Sequence, residues 1–250
     1  MSVLLKERLR RGDVLFGPML TLPCPDVADV LSRVGFDWLW IEMEHATLGL
    51  ERVQQMLQAA GGRVPCIVRS PWNDHVWLKR ILDTGCDGVV IPQIRSAPEA
   101  AAAVAACRYS PHGHRSVGIA RAQAFGQNFT QYIAQANDQL TIVLQIEHID
   151  AVNQIDAILD VPGFDAVVIG PYDLSASINM IGQVESQEVQ AAIRRVKDAC
   201  KGKKKPVGIF APAPATAKKQ IADGCTMLLV GVDAMILGNA ASGLLSELRK

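Results

Sequence analysis

Short apolar runs alternate with amphipathic stretches along the whole chain. Eight of these runs predict buried strands, because an apolar run of this length bounded by turn residues is typical of a parallel sheet. The predicted strands cover residues 14–20, 38–43, 65–69, 88–94, 140–146, 166–169, 206–210 and 227–230.

Helical patterns lie between most of the predicted strands, and several end at glycine, the residue preferred just beyond a helix C-terminus. The predicted helices cover residues 24–33, 50–60, 77–84, 98–107, 149–159, 188–201 and 213–223. Strand–helix alternation implies right-handed crossovers and a parallel sheet. Eight repeats, with no G-x-G-x-x-G motif after the first strand, favour an α/β fold closed into a (β/α)8 TIM barrel over an open dinucleotide-binding sheet.

The length of 250 residues suits one barrel, so we expect a single domain covering residues 1–250. The segment 109–139 interrupts the alternation, and we expect a long loop there with a role in function or assembly. The 25 basic and 25 acidic residues cancel, which disfavours nucleic-acid partners. A basic run at 201–205 is interpreted as a solvated turn.

No apolar run reaches the roughly 20 residues that a membrane span needs. The six cysteines contain no C-x-x-C pair and fall mostly inside predicted elements. We interpret them as core thiols of a reducing compartment, so the sequence predicts a cytoplasmic protein without membrane partners.

Polar residues collect at the carboxyl ends of the predicted strands, where barrels of this kind carry their active sites. Glu147 and Asp173 follow two strands separated by one helix, so they could meet at the barrel mouth. Two converging carboxylates suit a hard divalent cation. The structural alternative for either acid alone is a strand-end or helix-capping role.

Four further residues near the predicted barrel mouth have a chemical interpretation, a structural interpretation or both. His45 could be a general base or a core-edge histidine bonded to backbone. Arg69 could present a guanidinium fork to an oxyanion or only bridge strand-end acids. Gln145 shares a face with Glu147 by strand alternation, which makes it a candidate substrate contact. Asp83 taken alone is most simply a solvated helix-end acid.

The lysines exclude one route to carbonyl chemistry. A Schiff-base aldolase needs a desolvated lysine, usually inside the barrel, and no lysine lies in a predicted strand. Carbonyl chemistry at this site would therefore depend on polarisation by a metal ion.

Five motifs in order resemble the HpcH/HpaI aldolase family over essentially the whole chain. They are the segments 36–38 (FDW), 41–45 (IEMEH), 68–74 (VRSPWND), 145–147 (QIE) and 170–175 (GPYDLS). The family consists of class II pyruvate aldolases on a TIM barrel, which cleave 4-hydroxy-2-oxo acids to pyruvate and an aldehyde and run the reverse addition. A small-molecule substrate of this class is what the resemblance implies here.

The resemblance also implies roles for individual residues. Glu147 and Asp173 would bind Mg²⁺, Mn²⁺ or Co²⁺, with no organic cofactor. His45 would be the catalytic base, Asp83 would pair with it, and Arg69 would stabilise the enolate. The pyruvate end would be held by Arg69, Gln145, Gly170, Pro171, Tyr172 and Asp173. Family members are commonly hexamers, so we expect a homo-oligomer in which a C-terminal helix, at about 236–248, packs on a neighbouring subunit.

Three positions depart from the family pattern. Glu42 stands where many members have Asp, Tyr172 replaces a smaller residue, and Ser116 stands where glycine is usual. The first two are close to the expected pocket, so they leave the aldehyde open. Two rival enzymes also stay open, namely an acyl-CoA lyase resembling the citrate lyase β subunit and an oxaloacetate decarboxylase. A barrel that only binds a small acid is the non-enzymatic alternative.

Overall fold

Eight short apolar segments form the strands of a closed parallel barrel, in which each strand pairs with its sequence neighbours and the eighth pairs with the first. The computed structural model describes residues 4–250. The strands are β1 Leu15–Leu20, β2 Leu39–Glu42, β3 Cys66–Arg69, β4 Gly88–Ile91, β5 Thr141–Ile146, β6 Ala166–Ile169, β7 Val207–Phe210 and β8 Met227–Val232. The predicted (β/α)8 barrel is confirmed.

Helices follow the strands and run back along the outside of the barrel, apart from the first helix, which precedes the first strand and packs Leu5 and Leu9 into the apolar cluster of the barrel interior. They are α1 Leu5–Arg11, α2 Pro25–Leu31, α3 Leu50–Ala60, α4 His75–Asp83, α5 Ala97–Cys107, α6 Phe129–Gln139, α7 Ile149–Asn153, α8 Ile155–Leu159, α9 Pro171–Ser177, α10 Gln187–Gly202, α11 Pro214–Ala222 and α12 Asp233–Leu248. Gly61 ends α3 in the left-handed region at φ 62°, as the glycine pattern predicts.

Alternation along the strands divides the core into two apolar layers. One set of strand residues, which includes Trp40, Val168 and Leu229, fills the inside of the barrel. The intervening residues, such as Ile41 and Ile169, pack between the barrel and its helices. Because both faces of each strand are covered, the strands carry continuous apolar runs rather than an alternating pattern.

The structure corrects the sequence prediction in two segments and adds a helix in a third. Residues 109–139 are not a long loop, since they contain a 3₁₀ helix at Arg121–Gly126 and then α6. The helix predicted over 149–159 is two short helices that meet at Gln154. The segment after β6 forms α9, whose first turn contains Asp173. Within residues 4–250, no helix combines the length and apolar character required to cross a membrane.

Candidate active site

Glu42 and Arg69 end neighbouring strands and lie side by side in the β2–β3 register. Both are buried, with relative exposures of 0% and 6%. The Arg69 Nε donates to the Glu42 Oε2 at 2.6 Å, and the guanidinium lies 5.3 Å from the centre of the Trp40 ring. This contact fixes the arginine at the carboxyl end of the barrel, where its terminal nitrogens face the mouth.

The Glu42 carboxylate also orders the loop that carries His45. Its Oε1 accepts hydrogen bonds from the backbone N–H groups of Glu44 and His45, at 2.6 and 2.8 Å. The indole of Trp40 donates to its Oε2 at 2.9 Å. One buried carboxylate therefore holds the arginine and the histidine loop together.

Glu44 lies in the site although no role was predicted for it from the sequence. Its Oε2 is 3.0 Å from the Arg69 Nη1. Within residues 4–250 no hydrogen-bond donor meets that buried oxygen with good geometry. Burial raises the pKa of Glu44 to about 7; the charges of Glu42 and Asp173 raise it further, whereas Arg69 opposes the shift. The signal for this residue was its spacing of two from Glu42, which places both acids on one side of an extended chain.

Glu147 follows β5 and is 2% exposed. Its Oε1 accepts from the backbone N–H of Gln93 at 2.7 Å, and the side-chain amide of Gln145 donates to its Oε2. Burial raises the pKa of Glu147 to about 7, and the charges of Glu44 and Asp173 add to the increase. Gln93 holds a left-handed backbone at φ 57°, a strained conformation for a residue with a side chain.

Gly170 lets the end of β6 approach Glu147 closely. A Cβ on this residue would lie 2.9 Å from the Glu147 Cβ and 3.1 Å from the Gln145 Nε2. Any larger residue would therefore displace the carboxylate or the amide. The Gly170 backbone brings the following segment, with Asp173, to the same side of the barrel mouth.

A cavity of about 630 Å³ opens at this end of the barrel. Seven of the sequence-predicted site residues line it, namely His45, Arg69, Gln145, Gly170, Pro171, Tyr172 and Asp173. Glu147 is not part of the lining surface; it bonds to Gln145 and lies against Gly170, both of which are. Tyr172 is 62% exposed and stands at the entrance.

The acids of the site fit a hard divalent cation. Within residues 4–250 no three His, Cys, Asp or Glu side chains form a complete metal cage. Mg²⁺ and related ions do not need one, because they keep several waters and use one or two carboxylates plus the substrate. Glu147 and Asp173 would supply those oxygens. Burial and the charges of Glu44 and Asp173 raise the pKa of Glu147, which indicates that its negative charge is not fully balanced by nearby cations.

Within one chain, the structure does not bring Asp83 beside His45, where the resemblance placed it. Asp83 is the last residue of α4, which returns to the opposite end of the barrel, and its Oδ1 accepts from the Arg115 Nη2 at 2.7 Å. The acid beside His45 is Glu44, whose Oε2 is 3.8 Å from the imidazole Nε2. The imidazole itself is 63% exposed at the cavity entrance.

The chain matches several known proteins along almost its whole length. The profile of a family described as HpcH/HpaI aldolase/citrate lyase matches residues 16–240. A 4-hydroxy-2-oxo-heptane-1,7-dioate aldolase of Salmonella dublin is 40% identical over 241 residues, which are 96% of this chain and 92% of that protein. A crystal structure of an HpcH/HpaI aldolase/citrate lyase family protein from Burkholderia cenocepacia J2315 aligns with a TM-score of 0.95 at 34% identity, covering 98% of this chain and 99% of that one. An HpcH/HpaI aldolase from Desulfitobacterium hafniense DCB-2 gives a TM-score of 0.90 at 30% identity, covering 100% and 98%.

Proposed function

The chain belongs to the HpcH/HpaI aldolase/citrate lyase family, and on that basis we propose that it is a metal-dependent aldolase that reversibly cleaves a 4-hydroxy-2-oxo acid to pyruvate and an aldehyde. It is a lyase of carbon–carbon bonds, like its relatives. The observation that carries the proposal is the buried cluster of Arg69, Glu44 and Glu147 at the mouth of the cavity.

Glu147 and Asp173 are the residues that would hold a divalent ion, with Mg²⁺, Mn²⁺ and Co²⁺ as the candidates. A bound ion would act as a Lewis acid on the 2-oxo group and so favour the enolate over a bare carbanion. Gln145 bonds to Glu147 and lines the cavity, so it is placed to orient both the carboxylate and the oxo acid.

Arg69 would bind the oxygen on which negative charge develops. Its side chain is held by Glu42, so the donor is oriented before substrate arrives and needs no rearrangement during the reaction. The backbone from Gly170 to Asp173 would hold the carboxylate end of the oxo acid. These contacts bind the part of the substrate that becomes pyruvate.

His45 would move the proton. In the cleavage direction an imidazole nitrogen takes the proton of the 4-hydroxyl, the C3–C4 bond breaks, and its electron pair forms the enolate of pyruvate. Protonation at C3 then gives the methyl group of pyruvate. We assign Glu44 rather than Asp83 as the acid that positions this imidazole, because Glu44 is the carboxylate beside it.

An acyl-CoA lyase is the main rival, since the family description includes citrate lyase. Such an enzyme needs basic residues for the phosphates of its nucleotide. Among residues 4–250, Arg69 is the only Lys or Arg side chain that lines the cavity, and it lies against acids. Release of pyruvate from a 4-hydroxy-2-oxo acid, with and without EDTA, separates the aldolase from this rival and from a barrel that only binds an acid.

We also propose that residues 1–250 form one aldolase domain that assembles into a homo-oligomer, with a hexamer as the expected size. Residues 234–250 are all exposed, although α12 has an apolar surface formed by Met235, Ile236, Leu237, Leu244, Leu245 and Leu248. Asp233 anchors the start of the helix by accepting hydrogen bonds from Thr21 and Leu22. A neighbouring subunit would cover this surface, and light scattering tests the assembly.

The cytoplasm is the compartment that we propose. All six cysteines are free thiols and five of them are buried. Small buried thiols of this kind are typical of proteins that fold under reducing conditions.

A further inference from the structure

The cavity has a second part, beyond Arg69, where the rest of a substrate would lie. Its walls come from β6, β7 and the two helices behind them. Most of the lining is apolar, with Val168, Ile169, Ile193, Ile209 and Phe210 among its residues. The polar groups of this part are the neutral side chains of Gln190, Thr216 and Gln220 and the carboxylate of Glu185.

The positively charged side chains at and behind the site are already paired with acids. Arg69 contacts Glu42 and Glu44, and its position at the strand ends puts it with the oxo acid. Lys197 is the cation behind the far wall, where its Nζ bonds to the Gln220 Oε1 and lies 3.3 Å from the Asp223 Oδ2. Lys197 is buried and balanced by that aspartate, so it offers no free charge to the cavity.

We propose that the acceptor aldehyde of this enzyme is uncharged, with an apolar or neutral hydrogen-bonding substituent rather than a carboxylate. This inference rests on the proposed aldolase function. It separates the chain from the Salmonella dublin relative, whose name specifies a dioate and hence a second carboxylate at the far end of its substrate. Glu185 is the residue that we expect to set the preference, because it is the acid that lines this part of the cavity, at its exposed rim.

The preference for a neutral aldehyde follows from the free-energy cost of removing an unpaired charge from water. A carboxylate that leaves water for an apolar wall without a cation loses hydration that nothing there replaces. The negative side chain of Glu185 on the rim repels a charged aldehyde, whereas it has little effect on a neutral one. A neutral aldehyde of the same length bears neither cost.

Acceptors built on a four-carbon aldehyde chain, charged and neutral, test the inference with pyruvate as the nucleophile. The charged one is 4-oxobutanoate, and its neutral counterparts are methyl 4-oxobutanoate and butanal. We expect kcat/KM for the neutral acceptors to exceed that for 4-oxobutanoate roughly tenfold or more. The Glu185→Lys variant should shift the charged-to-neutral ratio several-fold towards 4-oxobutanoate. Glu188→Lys is the matched control, because Glu188 is exposed in the first turn of α10 and does not line the cavity.

Exchange of the pyruvate methyl protons with solvent, measured without aldehyde, tests the aldolase function separately from the inference about the acceptor aldehyde. If exchange occurs and 4-oxobutanoate is used as well as or better than the neutral acceptors, the inference is overturned and the aldolase function stands. Equal charged-to-neutral ratios for Glu185→Lys and Glu188→Lys would likewise overturn the inference alone. If neither exchange nor addition occurs, the aldolase function itself fails and takes the inference with it.

Discussion

The Nε of Arg69 lies 2.6 Å from the Oε2 of Glu42, and the two side chains form a buried pair across adjacent strands. The pair does more than neutralise a charge. Because Glu42 also accepts from the backbone N–H of His45, one carboxylate fixes both the guanidinium and the backbone that carries the imidazole. A guanidinium suits this position, since its planar fork can serve several acceptors at once.

The Arg69→Lys variant tests the requirement for that fork. An ammonium group can hold Glu42 or face the substrate, but it cannot do both with the same geometry. We expect kcat for aldol cleavage to fall by about 10²-fold, the typical effect of losing one oriented donor to an oxyanion. Arg52→Lys, on the exposed face of α3, is the matched control. Wild-type turnover in Arg69→Lys would remove the arginine from the mechanism.

His45→Ala tests the assignment of the base. The imidazole contacts Glu44 but is not one of the two proposed metal ligands, so Mn²⁺ affinity should stay at the wild-type level. Turnover should fall by about 10²–10⁴-fold, as expected on loss of a general base. Steady-state kinetics and calorimetric Mn²⁺ titration provide the two measurements. Unchanged cleavage in this variant would rule out the role.

Gly170→Ala tests whether Glu147 depends on close approach of the backbone. The added methyl group would lie within 3.1 Å of both Glu147 and Gln145, so the carboxylate must move. We expect metal affinity to weaken by roughly 10–100-fold, as when a group that orients a ligand is lost. Gly118→Ala is the control, because a Cβ there meets no atom within 4 Å. Equal affinities for both variants would contradict the proposed ligand geometry.

Metal binding should depend on pH. The pKa of Glu147 is raised from its usual 4.5 to about 7, so binding of a cation must displace a proton below that pH. Affinity for Mn²⁺ should therefore rise from pH 6 to pH 8, with proton release detectable as a dependence of the binding enthalpy on the buffer. Affinity that is constant over this range would show that Glu147 is not a ligand.

The metal-free protein should show the opposite trend in stability. A carboxyl whose pKa is higher in the folded than in the unfolded chain favours the fold while it is protonated. That contribution is complete below the unfolded pKa of about 4.5 and is lost as pH rises through about 7. Thermal unfolding at pH 5 and pH 8, with and without metal, measures it. The metal should raise the transition temperature more at pH 8.

Strand positions could be predicted from the sequence because their signal is local. A run such as Ala166–Ile169 is apolar and β-branched without help from distant residues, and the strand ends then place the polar residues on one rim. The helix α6 could not be found in the same way. Six of the eleven residues in its sequence, FTQYIAQANDQ, are polar, and Ala136 is its one buried residue.

The parts of the site that escaped prediction depend on long-range partners. Asp83 has Arg115 as its partner, 32 residues away, and that arginine comes from the segment whose structure was not predicted. The burial of Glu44 likewise depends on Arg69 from the next strand. In the sequence, an acid beside a histidine gives no indication that it is desolvated or that its pKa is raised.

The proposed chemistry depends on a metal ion at Glu147 and Asp173 that allows pyruvate to lose a methyl proton. The most direct test is the rate of methyl proton exchange in D₂O, followed by NMR, for the metal-loaded protein, the EDTA-treated protein and the Asp173→Asn variant. We expect exchange in the first sample, and almost none in the other two. Exchange that continues at the same rate after removal of the metal, or in Asp173→Asn, would contradict the proposed role of the metal.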